Sequence, residues 1–221
     1  MLDDPRLHFL LSLVKGIRNG LVYGAKVRFP HSLVIALLYG KGPWPDRLRR
    51  IIQATKTHAT KLALFVLIYK SSLQLLRSVP GLAFGPAGLL KDEASWHALA
   101  AGALAGALIF GDGSPISQQI NLYLMSRVLV GVLSLPFLTS PTPQGTEEGV
   151  ARALARPDLT RQTRSLPSLH RPFAMALWAL ALWLHRYRPA ALPSSLGQSM
   201  DYLYLDSEWW TSLRTLLWHN K

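Results

Sequence analysis

Five polar side chains stand inside stretches that are otherwise apolar and helical: Lys15, Asn19 and Lys26 in the first stretch, Lys56 and Lys61 in the second. At 100° per residue the first three form one stripe, and Gln53, Lys56, Thr57, Thr60 and Lys61 share a direction on the next helix. Ammonium and amide groups are costly in an apolar medium unless they meet water, a partner or a headgroup. Two such stripes at corresponding ends of successive helices admit two readings. They line a shared, water-filled cavity, or their ends snorkel to the lipid headgroups.

Other chemistry is poorly represented. The absence of cysteine removes disulfides, thiolate metal sites and cysteine nucleophiles together. The seven histidines are scattered, with no pair at the helical spacing of a metal site. Asp201, Asp206 and Glu208 cluster near the end without a recognisable third partner, which reads as solvation or helix capping rather than acid–base catalysis. No nucleophile elbow, Walker, zincin or deaminase pattern occurs, so neither an enzyme nor a cofactor is expected. A net charge of +12 would suggest nucleic acid if the basic residues formed a patch with interleaved aromatics. They are instead threaded through apolar runs or gathered in connections such as Arg47-Leu48-Arg49-Arg50, so no nucleic acid is expected. Membrane lipids with anionic headgroups, or an acidic targeting receptor, fit that pattern better.

The elements that must position the stripes are marked by glycine. Gly16, Gly20 and Gly24 recur every four residues, leaving one ridge of the first helix without side chains. Such a ridge lets another helix backbone approach closely where burial of apolar surface gives no driving force. In an exposed aqueous helix each glycine would cost about 1 kcal/mol against alanine. Ala98, Gly102 and Gly106 repeat the signal in the apolar segment Ala94 to Gly111, and they are the partner ridge expected for the first three. Pro30 should kink or restart the first helix near Phe29, making Leu7 to Tyr39 one broken, partly membrane-embedded unit.

Composition agrees with a membrane class: 49% of the 221 residues are hydrophobic and 16% charged. The modest mean hydropathy of +0.18 keeps an all-helical soluble protein as the alternative. No cleavable signal peptide is expected, because Asp3 and Asp4 precede only a short leucine-rich run. A second helix is expected from about Arg49 to Leu76, a loop from Pro80 to Gly88, and further apolar helices over Ala94–Gly111, Ile116–Leu138 and Phe173–Leu184, the last opened by Pro172. Arg127 lies in the middle of the Ile116–Leu138 segment, which therefore either faces protein with that side or lies partly at the interface. Trp209, Leu213 and Leu216 share a face, predicting an amphipathic helix on the membrane or on the protein itself. The fold predicted is all-α: one polytopic helical membrane domain over residues 1–221, with about four spanning helices plus interfacial ones. It comprises a glycine-seamed core at 1–138, a flexible basic loop at 139–171, and a last membrane helix and amphipathic tail at 172–221. The distribution of basic connections does not settle its orientation.

The run Lys15-Gly16-x-Arg18-Asn19-Gly20-x-Val22-Tyr23-Gly24-Ala25-Lys26-x-Arg28-x-Pro30-His31 closely resembles the peroxisomal membrane protein 4 family, related to the mitochondrial inner-membrane import translocase superfamily. Matching motifs follow in order: Gln53-Ala54-Thr55 with His58, Tyr69-Lys70, Gln119-Ile120-Asn121-x-Tyr123-Leu124-x-Ser126-Arg127, and Gln198-Ser199-Met200-x-Tyr202-Leu203-Tyr204-x-Asp206-Ser207. The resemblance implies a multi-pass peroxisomal membrane protein delivered by the peroxisomal membrane-protein import receptor. The translocase relatives use glycine-packed helices beside a polar membrane cavity, which agrees with the stripe of Lys15, Asn19 and Lys26. The 139–171 and Pro80–Gly88 stretches depart from the family pattern. Three functions are therefore in competition: passage along a polar cavity, a scaffold without a pore whose ridges pack helices or form a homo-oligomer, and a translocase-type subunit of the mitochondrial inner membrane.

Overall fold

The computed structural model describes residues 5–78, 94–135 and 167–218, and no strand occurs among them. Helix α1 is Pro5–Tyr39 and α2 is Trp44–Ser78. They are followed by α3 (Ser95–Ile109), α4 (Pro115–Ser134), α5 (Pro167–Tyr187) and α6 (Ser194–Met200). A 3-10 turn (Pro189–Ala191) between α5 and α6, a π-helical turn (Asp201–Leu205), a 3-10 turn (Asp206–Glu208) and the short α7 (Leu213–Leu217) complete the order. A 35-residue helix is about 52 Å long, well over the ~30 Å hydrocarbon core. Among the described residues α1 and α2 are the two helices long and apolar enough to cross a membrane, against the four expected. At 15 residues, α3 reaches only about 22 Å.

Several expected boundaries move. Pro30 lies inside α1, which continues unbroken to Tyr39. A proline removes one bond, here to the carbonyl of Lys26, and membrane helices tolerate that loss. Pro172 likewise lies inside α5, which opens five residues earlier at Pro167 and takes the end of the expected 139–171 loop into a helix. Residues 139–166 of that loop, and the Pro80–Gly88 loop, lie outside the described residues. Trp209 is extended rather than helical, so the amphipathic tail helix contracts to α7, capped by the Ser212 hydroxyl accepting from the Thr215 N–H at 3.3 Å.

The chain divides into two compact units, Met1–Ser71 with Met200–Lys221, and Ser72–Ser199. In the first, α1 and α2 form an antiparallel hairpin whose seam is the glycine ridge. A Cβ built on Gly16 would meet Val66, one on Gly20 would meet Ala63, and one on Gly24 would meet Ala59, so the partner numbers fall as the ridge numbers rise. This corrects the expected pairing of the two small-residue ridges. In the second unit Gly102 lies against the backbone of Trp178 and Ala179, and Gly106 against Ala174 and Trp178, so that ridge, with buried Ala98 on the same helix, packs on α5.

Asn121 of α4 ties the second unit together. Its Nδ2 donates to the Phe110 carbonyl at 3.0 Å, and its Oδ1 accepts from the Trp178 indole at 3.0 Å, while the Phe110 and Trp178 rings stack 4.7 Å apart. Asn121→Leu removes two buried hydrogen bonds, at about 1–2 kcal/mol each. The expected result is a stability loss of about 2–4 kcal/mol with a changed tryptophan emission, read by denaturant titration in detergent. Arg127, six residues on, is half-buried with its guanidinium 5.5 Å from the Tyr123 ring centre.

Candidate functional site

Buried Ser12, Lys15, Asn19, Lys70 and Ser207 of the first unit converge where the hairpin meets the segment Tyr202–Trp218. Lys15 is fully buried, and its ammonium donates to the Trp209 carbonyl. One turn along, buried Asn19 donates from Nδ2 to the Tyr202 carbonyl at 2.8 Å. Arg18 lies between them, donating to Asn19 Oδ1 at 2.6 Å and to the Trp218 carbonyl. From α2, buried Lys70 reaches the Ser207 hydroxyl at 2.8 Å, the Ser12 carbonyl at 3.4 Å and a Glu208 carboxylate oxygen at 2.5 Å. Ring contacts support the join: His8 stacks on Trp210 at 4.5 Å, Tyr69 meets Tyr204 edge-on at 5.2 Å, and Tyr23 lies 6.1 Å from Tyr202.

The local reason is the way the C-terminal segment ends. A π turn carries i to i+5 bonds, here Asp206 N–H to Asp201 O, and the helical run ends at Glu208. Carbonyls at a helix C-terminus lack intrahelical donors and carry partial negative charge, so amide and cationic side chains are their natural partners. Asn19 meets a carbonyl within the π turn, and Lys15 meets the one just past the end of the run. Gly16 lies in the seam beside the join: its missing Cβ would lie 2.9 Å from a Val66 methyl, with Ser207 Cβ at an ordinary contact distance of 3.8 Å. Burial, reinforced by Tyr69, pushes the Tyr204 phenol well above its usual range, which keeps it a neutral hydroxyl. Burial also raises Tyr202.

The five stripe residues do not come together. Lys15 and Asn19 are sealed in this join, Lys26 and Lys56 are exposed, and Lys61 is half-buried. Of the other residues in the family pattern, Arg18, Tyr23, Tyr202 and Asp206 gather at the join, Asp206 half-buried and bearing electrostatically on Lys15. Arg28 lies towards the other end of the hairpin on the wall of a cleft, with Pro30 and His31 exposed. Lys70 and Glu208 were not assigned to the polar stripe. The signal for Lys70 was a single cation closing the apolar run Leu62–Tyr69. Glu208 proves to be its ion-pair partner rather than a merely solvated carboxylate. Among the described residues no group of three or more histidines and carboxylates could hold a metal ion.

Residues 1–134 match the Tim17/Tim22/Tim23/Pmp24 family. Over 221 residues the chain is 36% identical to "Peroxisomal membrane protein 4" of Bos taurus, covering all of this chain and 90% of the relative. Over 224 residues it is 36% identical to the Homo sapiens protein of the same name, with the same coverage. No solved structure matches.

Proposed function

This chain belongs to the Tim17/Tim22/Tim23/Pmp24 family as a multi-pass protein of the peroxisomal membrane, and from that membership we propose that it acts there as a helical scaffold rather than as a pore in itself. The observation that carries the reading is the fate of Lys15 and Asn19. Both are buried, and each donates to a carbonyl of the chain's own C-terminal segment, which takes them out of the path of a passing solute. The hairpin that carries them presents exposed Leu10, Val14, Leu21, Val27 and Leu38 along α1, an apolar surface suited to lipid or to another copy of the chain. Insertion by the peroxisomal membrane-protein import receptor is proposed with it, and co-precipitation of the newly made chain with that receptor checks it.

A second reading, passage of small anionic solutes or polypeptide, draws on the exposure of Lys26 and Lys56 and would need further copies to close a cavity around them. Reconstitution into vesicles separates the two. The scaffold predicts anion efflux no faster than from protein-free vesicles. Efflux well above that background, abolished by Lys26→Leu or Lys61→Leu, would establish passage instead.

A further inference from the structure

At the end of the first hairpin remote from the join, α1, α2 and their turn enclose a cleft of ≈ 390 Å³. We propose that it binds the phosphate of an anionic phospholipid, with the start of an acyl chain along its apolar wall. Arg28, Lys41, Arg47 and Arg50 line it, and among the described residues no carboxylate does. A cleft on which cationic side chains gather favours an anion. The turn itself orients two of them: Arg47 donates from Nε to the Gly42 carbonyl at 2.9 Å, and Arg50 from Nη2 to the Lys41 carbonyl at 2.8 Å. With only Nε engaged among the described residues, Arg47 keeps the two Nη groups, and a guanidinium fork held by its base suits phosphate oxygens. Ser32 adds an independent sign. It is 9% exposed on the cleft wall, and its hydroxyl is buried with no partner among the described residues. Buried hydroxyls are normally bonded, so an acceptor is wanting there.

The occupant follows from the rest of the wall and from depth. Ile35, Ala36, Tyr39 and Ile51 make an apolar side for which a free inorganic anion or a hydrophilic peptide has no use. Tyr39 and Trp44 flank the turn and are 76% and 47% exposed, the amphipathic rings that mark the boundary between hydrocarbon and water. A cation-lined, half-apolar cleft at that boundary meets a lipid phosphate at its own depth. The proposal is independent of whether the chain scaffolds or conducts.

The test is titration of phosphatidylinositol onto the full-length protein in neutral detergent, with bound lipid counted by native mass spectrometry and phosphatidylcholine as the neutral reference. Selective retention of phosphatidylinositol is expected. Arg47→Gln with Arg50→Gln should weaken it about 25-fold, at roughly fivefold per basic residue. Arg49→Gln with Lys56→Gln, the same charge change on residues outside the cleft, should leave it near the native value. Lys41→Gln alters a side chain that makes no bond among the described residues and should cost about fivefold, which keeps the proposal testable if the double variant misfolds. Equal losses from both double variants, no loss with Lys41→Gln, or retention of phosphatidylcholine as strong as that of phosphatidylinositol would overturn it. Displacement of the lipid by millimolar inorganic phosphate would assign the cleft to a free anion and overturn it too.

Discussion

Gly24→Leu is expected to part the first hairpin, and Gly197→Ala to leave the protein as stable or more so, although both replace a helical glycine. The difference lies in what a Cβ would meet. On Gly24 it would lie 2.5 Å from the Ala59 Cα and 3.1 Å from the Ala59 N, both backbone atoms. Carbon contacts are comfortable at about 3.5–4.0 Å, so two helix backbones must separate by roughly 1 Å before any further atom of leucine is placed. Gly20 stands in the same relation to Ala63, with 2.7 Å to Cα and 2.8 Å to N, so the strain cannot be relieved by rotating one side chain. In lipid the seam is held by close packing rather than by removal of apolar surface from water, and separating it forfeits contacts along its length. Overpacking commonly costs about 1–3 kcal/mol, and a rigid backbone neighbour puts Gly24→Leu at or above the top of that range. Around Gly197 nothing lies within 4 Å, so alanine brings only its better helix propensity, a gain of about 0.5–1 kcal/mol. Unfolding midpoints in a detergent series, followed by circular dichroism, decide it. A mild Gly24→Leu would mean that the ridge is not the seam.

The glycine spacing made the ridge legible because three missing side chains on one face have few other uses, but it could not name the partner. A ridge specifies that a backbone comes close, while the receiving surface needs only small or flat residues. Ala59, Ala63 and Val66 look ordinary in an apolar helix. The polar stripe was legible in the same partial way. Helical angles correctly place Lys15, Asn19 and Lys26 on one side of α1, yet burial depends on what lies over that side. The C-terminal segment covers Lys15 and Asn19, whereas Lys26 is exposed. That segment is about 180 residues away in sequence, and helical periodicity carries no information over such a separation. The tail was hard to read for a related reason: its order comes from bonds made by α1 and α2 to its carbonyls, so a short π turn and an extended Trp209 replace the regular helix that its apolar pattern suggested. Pro30 and Pro172 misled because a proline's local cost of one hydrogen bond is smaller than the packing that keeps α1 and α5 helical.

The join between the hairpin and the C-terminal segment rests on two cations in different situations, and their replacement by methionine should separate them. Lys70 is 7% exposed at its side chain and faces a Glu208 side chain that is 42% exposed. Lys70→Met strands that carboxylate and removes the donor to the Ser207 hydroxyl, along with a second donor to the Ser12 carbonyl. A fully buried pair broken on one side costs about 3–5 kcal/mol and a surface pair under about 1, so this half-buried one should cost about 2 kcal/mol. Lys15 bonds a carbonyl of the highly exposed Trp209, an oxygen that water can serve in its place, and its removal also relieves a fully buried ammonium. Lys15→Met should therefore cost under about 1 kcal/mol, because apolar replacement of a buried ion is often neutral. Adding Glu208→Gln to Lys70→Met should restore part of the loss, since the stranded charge is gone, giving a coupling of about 1 kcal/mol in the double-mutant cycle. Limited proteolysis within residues 200–218, compared with global unfolding, reads the join directly: cleavage should accelerate in Lys70→Met before the helices melt and stay slow in Lys15→Met. The reverse order would make the buried ammonium of Lys15 the principal tie, and with it the reason a charge is kept in the middle of a membrane-packing helix.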